Sequence, residues 1–209
     1  MRLSLVAPLV LIASCAAPEF RLGAKDGIPP VAGSTEVTLD AFVCGNPIPA
    51  GDTTVTTRKV TGGCELSFDK DVTVLKAEDY TRLPELRGAT NLLQSVEFTI
   101  NTLSFTDTGT TPSVVLDPQT RITSVTLAMN AQVVIADKAA LTRLPTTVSL
   151  GGAALAAVKA QVDKRVPATV KATCVAVIPD DPPPPKKLKI DYDAQPTLVI
   201  GTGPIKLPL

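Results

Sequence analysis

The feature that most limits the fold is hydrophobic alternation with a period of two. In "GGCELSFDKDVTVL" (62–75), Leu66, Phe68, Val72 and Val74 fall on one side, while Glu65, Ser67, Asp69, Asp71 and Thr73 fall on the other. Side chains of a strand point alternately to opposite faces, so this pattern describes a strand with one face on a core and one in water. "STEVTLDAFVC" (34–44) repeats it, with Val37, Leu39, Ala41 and Val43 on one face. "TTVTTRKV" (53–60) is rich in β-branched residues, which are stiff at χ1 and suit a pleated surface.

The alternation changes phase once. In "QSVEFTINTLSFTD" (94–107), Val96, Phe98 and Ile100 alternate, and Leu103 and Phe105 alternate with the opposite parity. Either a bulge near Asn101–Thr102 restores the register, or the strand changes the surface that it covers. "RITSVTLAMNAQVVIAD" (121–137) reads as one long strand with Val125, Leu127, Met129, Ala131, Val133 and Ile135 on one face. Further strands are expected at 168–178, 186–192 and 196–206.

Residues 77–92 break the period. Pro84 and Gly88 there favour a helical turn and a loop. An amphipathic helix is expected near 152–166, because Leu155, Val158, Val162 and Val166 recur at intervals of three and four and Pro167 stops the run. "PDDPPPPKK" (179–187) contains four consecutive prolines at 182–185, a stiff segment that must project at a loop or edge. The expected fold is mainly β, or α+β: a single antiparallel β-sandwich or curved-sheet domain of about eight strands with one helix.

Composition removes several functions. Histidine is absent, which excludes a Ser-His-Asp triad, a Cys-His pair and any zinc site that needs imidazole. Lys plus Arg and Asp plus Glu are both 20, so no basic surface recommends a nucleic acid. Aromatic residues make up 3% of the chain and Trp is absent, too few for base-stacking platforms. The paired acids Asp69/Asp71, Asp180/Asp181 and Asp191/Asp193 read as solvated edges and turns, and Gly151–Gly152 lacks the residues of a phosphate loop. No catalytic residue, metal or cofactor is expected.

The first residues carry a different signal. Arg2 precedes an apolar run from Leu3 to Ala13, about eleven residues long, too short to span a bilayer and within the range of a secretory signal. The run ends Ile12-Ala13-Ser14-Cys15. An aliphatic residue, two small residues and a cysteine in this position resemble the lipobox of bacterial lipoproteins. The resemblance covers residues 1–15 only. It implies that 1–14 form a signal peptide, that Cys15 is lipidated and becomes the first residue of the mature chain, and that the membrane is a partner through that anchor. Ala16, in place of the aspartate that favours inner-membrane retention, points to the outer membrane, facing the periplasm or the cell surface. An ordinary secreted protein cut near Ala16 or Ala17 is the alternative. Residues 15–33 mix Pro, Gly and charge and read as a flexible tether, with 34–209 as the domain; docking of Phe20 and Leu22 on that domain is the alternative.

An exported chain can form disulfides, and three cysteines remain beyond Cys15. Cys44 and Cys64 are the expected pair, with Cys174 buried and free; Cys64 with Cys174 is the rival. Two functions fit. One is a non-catalytic envelope lipoprotein that binds another envelope component or serves as a structural part. The other is a carrier of lipid or another hydrophobic ligand, in a cavity lined by Val125, Leu127, Met129, Val133, Ile135, Leu155, Val158 and Val162.

Overall fold

A computed structural model describes residues 19–39, 43–50, 53–83, 86, 93–109, 114–115, 122–180 and 185–201. Residues 1–14, Cys15 and most of the polyproline run lie outside them; of that run only Pro185 is described, and it is buried. The described residues form two six-stranded antiparallel sheets with one shared hydrophobic core, the β-sandwich expected from the alternation.

The elements run β1 (Glu19–Leu22), β2 (Val31–Thr38), β3 (Ile48–Ala50), β4 (Thr53–Val60), β5 (Gly63–Leu75), α1 (Asp79–Arg82), β6 (Leu93–Asp107) and β7 (Val114–Val115). They continue β8 (Ser124–Met129), β9 (Gln132–Ile135), β10 (Thr146–Ser149), α2 (Gly152–Asp163), β11 (Ala168–Pro179) and β12 (Lys187–Gly201). In the first sheet β6 and β12 pair along almost their whole length. β1 and β2 lie beyond β12, and β7 and β10 beyond β6. The second sheet has the order β3-β4-β5-β11-β8-β9.

Among the described residues twelve strands replace the expected eight or so, because β1, β3, β7, β9 and β10 are edge strands of two to four residues. Segments so short carry too little periodicity to be recognised; their partners define them.

Four expectations need correction. Residues 19–33 are not a tether: Glu19 to Leu22 pair with Gly201 to Leu198, and β2 begins at Val31. The strand expected over 34–43 ends at Thr38. Val37 and Leu39 are buried as the alternation requires, but Val43 is exposed, and Ala41 lies outside the described residues.

The strand expected over 121–137 is a hairpin. Asn130 (φ 46°) and Ala131 (φ 65°) are both left-handed, the conformation of a two-residue hairpin turn between β8 and β9. Finally, 187–201 is one strand rather than two. Pro196 is accommodated because β2 pairs with β12 only to Ala194 and β1 only from Leu198, so no ladder on that side needs its missing N–H.

α2 is shorter than the periodicity suggested, with Leu155, Val158 and Val162 buried and Val166 exposed beyond its end. It packs on β6 and β11, one strand from each sheet, and so closes the sandwich between them. α1 is the expected single helical turn. The Asp79 carboxylate reaches back to accept from Lys76 N at 2.8 Å and binds Arg82 at 2.6 Å. Arg82 also donates to the carbonyls of Asp26 and Gly27, tying this turn to the loop after β1.

Candidate functional site

A cavity of about 60 Å³ lies between the two sheets. Its exposed lining is almost wholly apolar. Phe98 and Ile100 of β6 face Leu127 and Met129 of β8 and Cys174 of β11 across it. It sits at an irregularity in the first sheet. Asp193 pairs with Thr102, and Ala194 with Ile100, so Asn101 is an extra residue in β6. This is the bulge that the parity change in the sequence offered as one of two solutions. All four residues of the two flanking pairs line the cavity. A bulge bends its strand and adds local twist, which is how two sheets in contact elsewhere can part here.

Three further features shape the opening. Lys70 lies on β5 between Phe68 and Val72, at a position whose parity points inward. It is exposed and lines the cavity, so the sandwich is open beside it. Tyr192 of β12 lies over Gly33 of β2, its cross-strand partner; a Cβ on Gly33 would come within 2.5 Å of the Tyr192 hydroxyl. Asp193 accepts from Asn101 Nδ2 at 3.2 Å through Oδ2, while its Oδ1 is buried without a hydrogen-bond partner. Such an atom in an apolar setting carries a desolvation cost.

Cys174 is the free thiol among the described residues. Burial pushes its pKa up to about 12, so it stays protonated and unreactive at neutral pH. The other two described cysteines are joined: Cys44 and Cys64 form a disulfide with Cα atoms 5.9 Å apart.

Of the eight aliphatic residues expected to line a ligand cavity, Leu127 and Met129 do so. Val125 and Ile135 are buried in the core away from it, as are Leu155, Val158 and Val162 on α2. Val133 is 54% exposed. The register explains it: Ala128 pairs with Val133 and Leu127 with Ile135, so Val134 is an extra residue that reverses the parity of β9. Lys70 and Tyr192 were missed. The signal for Lys70 was present, since its position matches the inward parity of Leu66, Phe68, Val72 and Val74.

One acid of each pair is engaged at the surface; Asp193 is instead turned to the cavity, against the solvated edge expected of it, and Asp181 lies outside the described residues. Asp69 binds Lys171 and Thr173, both at 2.6 Å, and the hydrogen bonds from Lys171 first and Thr173 second hold its carboxyl below the ordinary pKa. Asp180 pairs with Lys59, and Asp191 with Lys189. Gly151 N donates to the Gln132 side chain at 2.9 Å. Among the described residues no cluster of three or more His, Cys, Asp or Glu could hold a metal, and no helix is long and apolar enough to cross a membrane.

Comparison with protein families, with curated proteins and with solved structures finds no match to this chain.

Proposed function

We propose that this chain is a bacterial envelope lipoprotein, anchored through acyl chains on Cys15, whose β-sandwich is a non-catalytic binding or structural module. The observation that carries the reading is Ile12-Ala13-Ser14-Cys15 at the end of a short apolar run. One acyl chain binds a membrane marginally, whereas two or more hold it stably, so an acylated Cys15 suffices without a spanning helix. The Cys44–Cys64 pair supports export, since such bonds persist in oxidising compartments. Engagement of Asp69, Asp180 and Asp191 in surface ion pairs supports a non-catalytic module. Ala16 favours the outer membrane as the site.

Metabolic labelling with an alkyne fatty acid tests the anchor. The parent chain should carry label and float with membranes, and Cys15→Ser should lose both. Unlabelled parent protein, or label that survives the substitution, ends the proposal.

The carrier reading stands second. The apolar cavity favours it, but at about 60 Å³ it is well short of the ~300 Å³ at which small-molecule clefts begin. Carriage therefore requires the sheets to part further around Lys70. Native mass spectrometry of the purified chain checks this: a copurifying lipid supports the carrier, and a bare protein removes it.

A further inference from the structure

We propose that the end of the sandwich where β1 begins and β12 ends lies against the bilayer, with the Phe20 ring in the lipid headgroup region. The inference rests on acylation of Cys15 and concerns how the domain is then held.

The register of β1 sets the leash. Glu19 is paired with Gly201, so the folded domain starts four residues after Cys15. An extended chain covers at most about 3.5 Å per residue, so Glu19 stays within about 14 Å of the anchored sulfur's own residue. A tether reaching to Ser34 would instead have allowed about 67 Å. β12 has 15 residues and runs about 46 Å from Lys187 to Gly201. The short leash therefore holds one end of the domain at the membrane and keeps Lys187 and its partner Thr38 far from it.

The chemistry at the near end fits an interface. Phe20 and Leu22 share one side of β1. Leu22, opposite Leu198, is buried, while Phe20, opposite Ile200, is 50% exposed. The core continues through Ile200 and its partner Leu93, both buried, while the Phe20 ring stands half exposed on the edge strand beside them. Among the described large hydrophobic residues that are exposed, the others are Val43, Val133 and Val166; Phe20 is the aromatic one. An apolar ring close to an acyl anchor gains by entering the boundary between headgroups and chains. Arg21 is paired with Glu97, so the contact is apolar rather than electrostatic.

The absence of Trp makes the test direct, because Phe20→Trp and Thr38→Trp each introduce a lone indole. Full-length acylated protein is reconstituted into phosphatidylcholine–phosphatidylglycerol vesicles whose acyl chains carry bromine near the headgroup. Phe20→Trp should lose about half its emission relative to unbrominated vesicles, since interfacial side chains sit within bromine's quenching reach. Thr38→Trp should be unaffected. A flexible insert of about twenty Gly and Ser residues between Ala17 and Pro18 should return Phe20→Trp towards the Thr38→Trp value by lowering the local concentration of the ring at the surface. Glu19→Trp provides a second reporter if Phe20→Trp folds poorly. An acylated, vesicle-bound protein whose near-end indole is quenched no more than Thr38→Trp overturns the orientation and leaves the anchor standing. A protein that carries no acyl group and does not float overturns the anchor, and the orientation with it.

Discussion

β6 contains two bulges, and the halves of the sandwich around them differ. Near its start, Val199 pairs with Ser95 and Ile200 with Leu93, leaving Gln94 extra; in its middle, Asn101 is extra. The first half is closed. α2 packs there on β6 and β11, Leu150 N donates to Val96 O at 2.8 Å, and Val96, Val158, Ala168 and Leu198 have no solvent exposure. Among the described residues α2 does not line the second half, which holds the cavity. A bulge lets two sheets diverge, and whether a void follows depends on what fills the gap.

The largest expected difference is between deletions of the two extra residues. Removing Asn101 reverses the parity between the two parts of β6, which turns Leu103 and Phe105 or their neighbours outward. Burying each such side chain is worth about 1.5–3 kcal/mol, so the loss is about 3–6 kcal/mol, enough to unfold a marginal domain. Removing Gln94 displaces Leu93 alone, at about 1.5–3 kcal/mol. Urea denaturation of both variants measures this. Equal losses would mean that the middle bulge does not set the register.

Filling the core should sharpen the contrast by changing sign. Ala168 and Ala172 both point inward from β11, the first in the closed half and the second on the cavity wall. Ala168→Val should cost about 1–3 kcal/mol through overpacking. Ala172→Val should be neutral or stabilise by up to about 1 kcal/mol, because its methyl groups meet empty space. If Ala172→Val destabilises as much as Ala168→Val, the cavity is not available to side chains.

The cavity also has a pH signature. Cys174 has a folded pKa of about 12 against an ordinary value of 9.0. Below pH 9 the thiol is protonated in both states, so the stability associated with this shift is fully present. As pH rises towards 12 the unfolded chain loses the proton and the folded chain keeps it, so stability falls, on the order of 1 kcal/mol per pH unit. Denaturation at several pH values should show this decline, and Cys174→Ala should flatten it. Tyr80, whose pKa is raised by burial and then by Asp79, adds its own decline at higher pH, which that substitution leaves in place.

This half of the molecule also shows what the sequence could and could not convey. The phase change around Asn101 was visible because both flanking runs are long enough to establish a parity. β5, β11 and α2 were visible for the same reason. The cavity was not, since a gap depends on the separation of two sheets, and no single strand records that. Lys70 occupied a readable inward position, yet its charge suggested an outward face. The β8–β9 hairpin was hidden twice: a two-residue turn at Asn130–Ala131 interrupts nothing in the alternation, and the extra residue Val134 then reverses it. The pairing of β1 lay beyond periodicity, because four residues cannot show a period and the partner is near the other end of the chain.

That hairpin joins the two halves, and it supplies the smallest expected effect. Asn130 Nδ2 donates to Ala154 O of α2 at 3.2 Å, and its Oδ1 accepts from Lys171 N of β11 at 2.9 Å, while Met129 beside it lines the cavity. The turn needs left-handed backbone at both positions, which Asn tolerates and Ala resists. Ala131→Gly should therefore stabilise by about 0.5–1 kcal/mol, the relief of Cβ strain exceeding the entropy that glycine adds to the unfolded chain. Asn130→Gly should do the opposite, losing about 1–2 kcal/mol, because its two side-chain hydrogen bonds outweigh any gain in backbone freedom. Thermal unfolding of the pair separates these contributions. If both glycines stabilise, Asn130 acts only as a turn residue, and the closed half and the cavity half are coupled through the sheets alone.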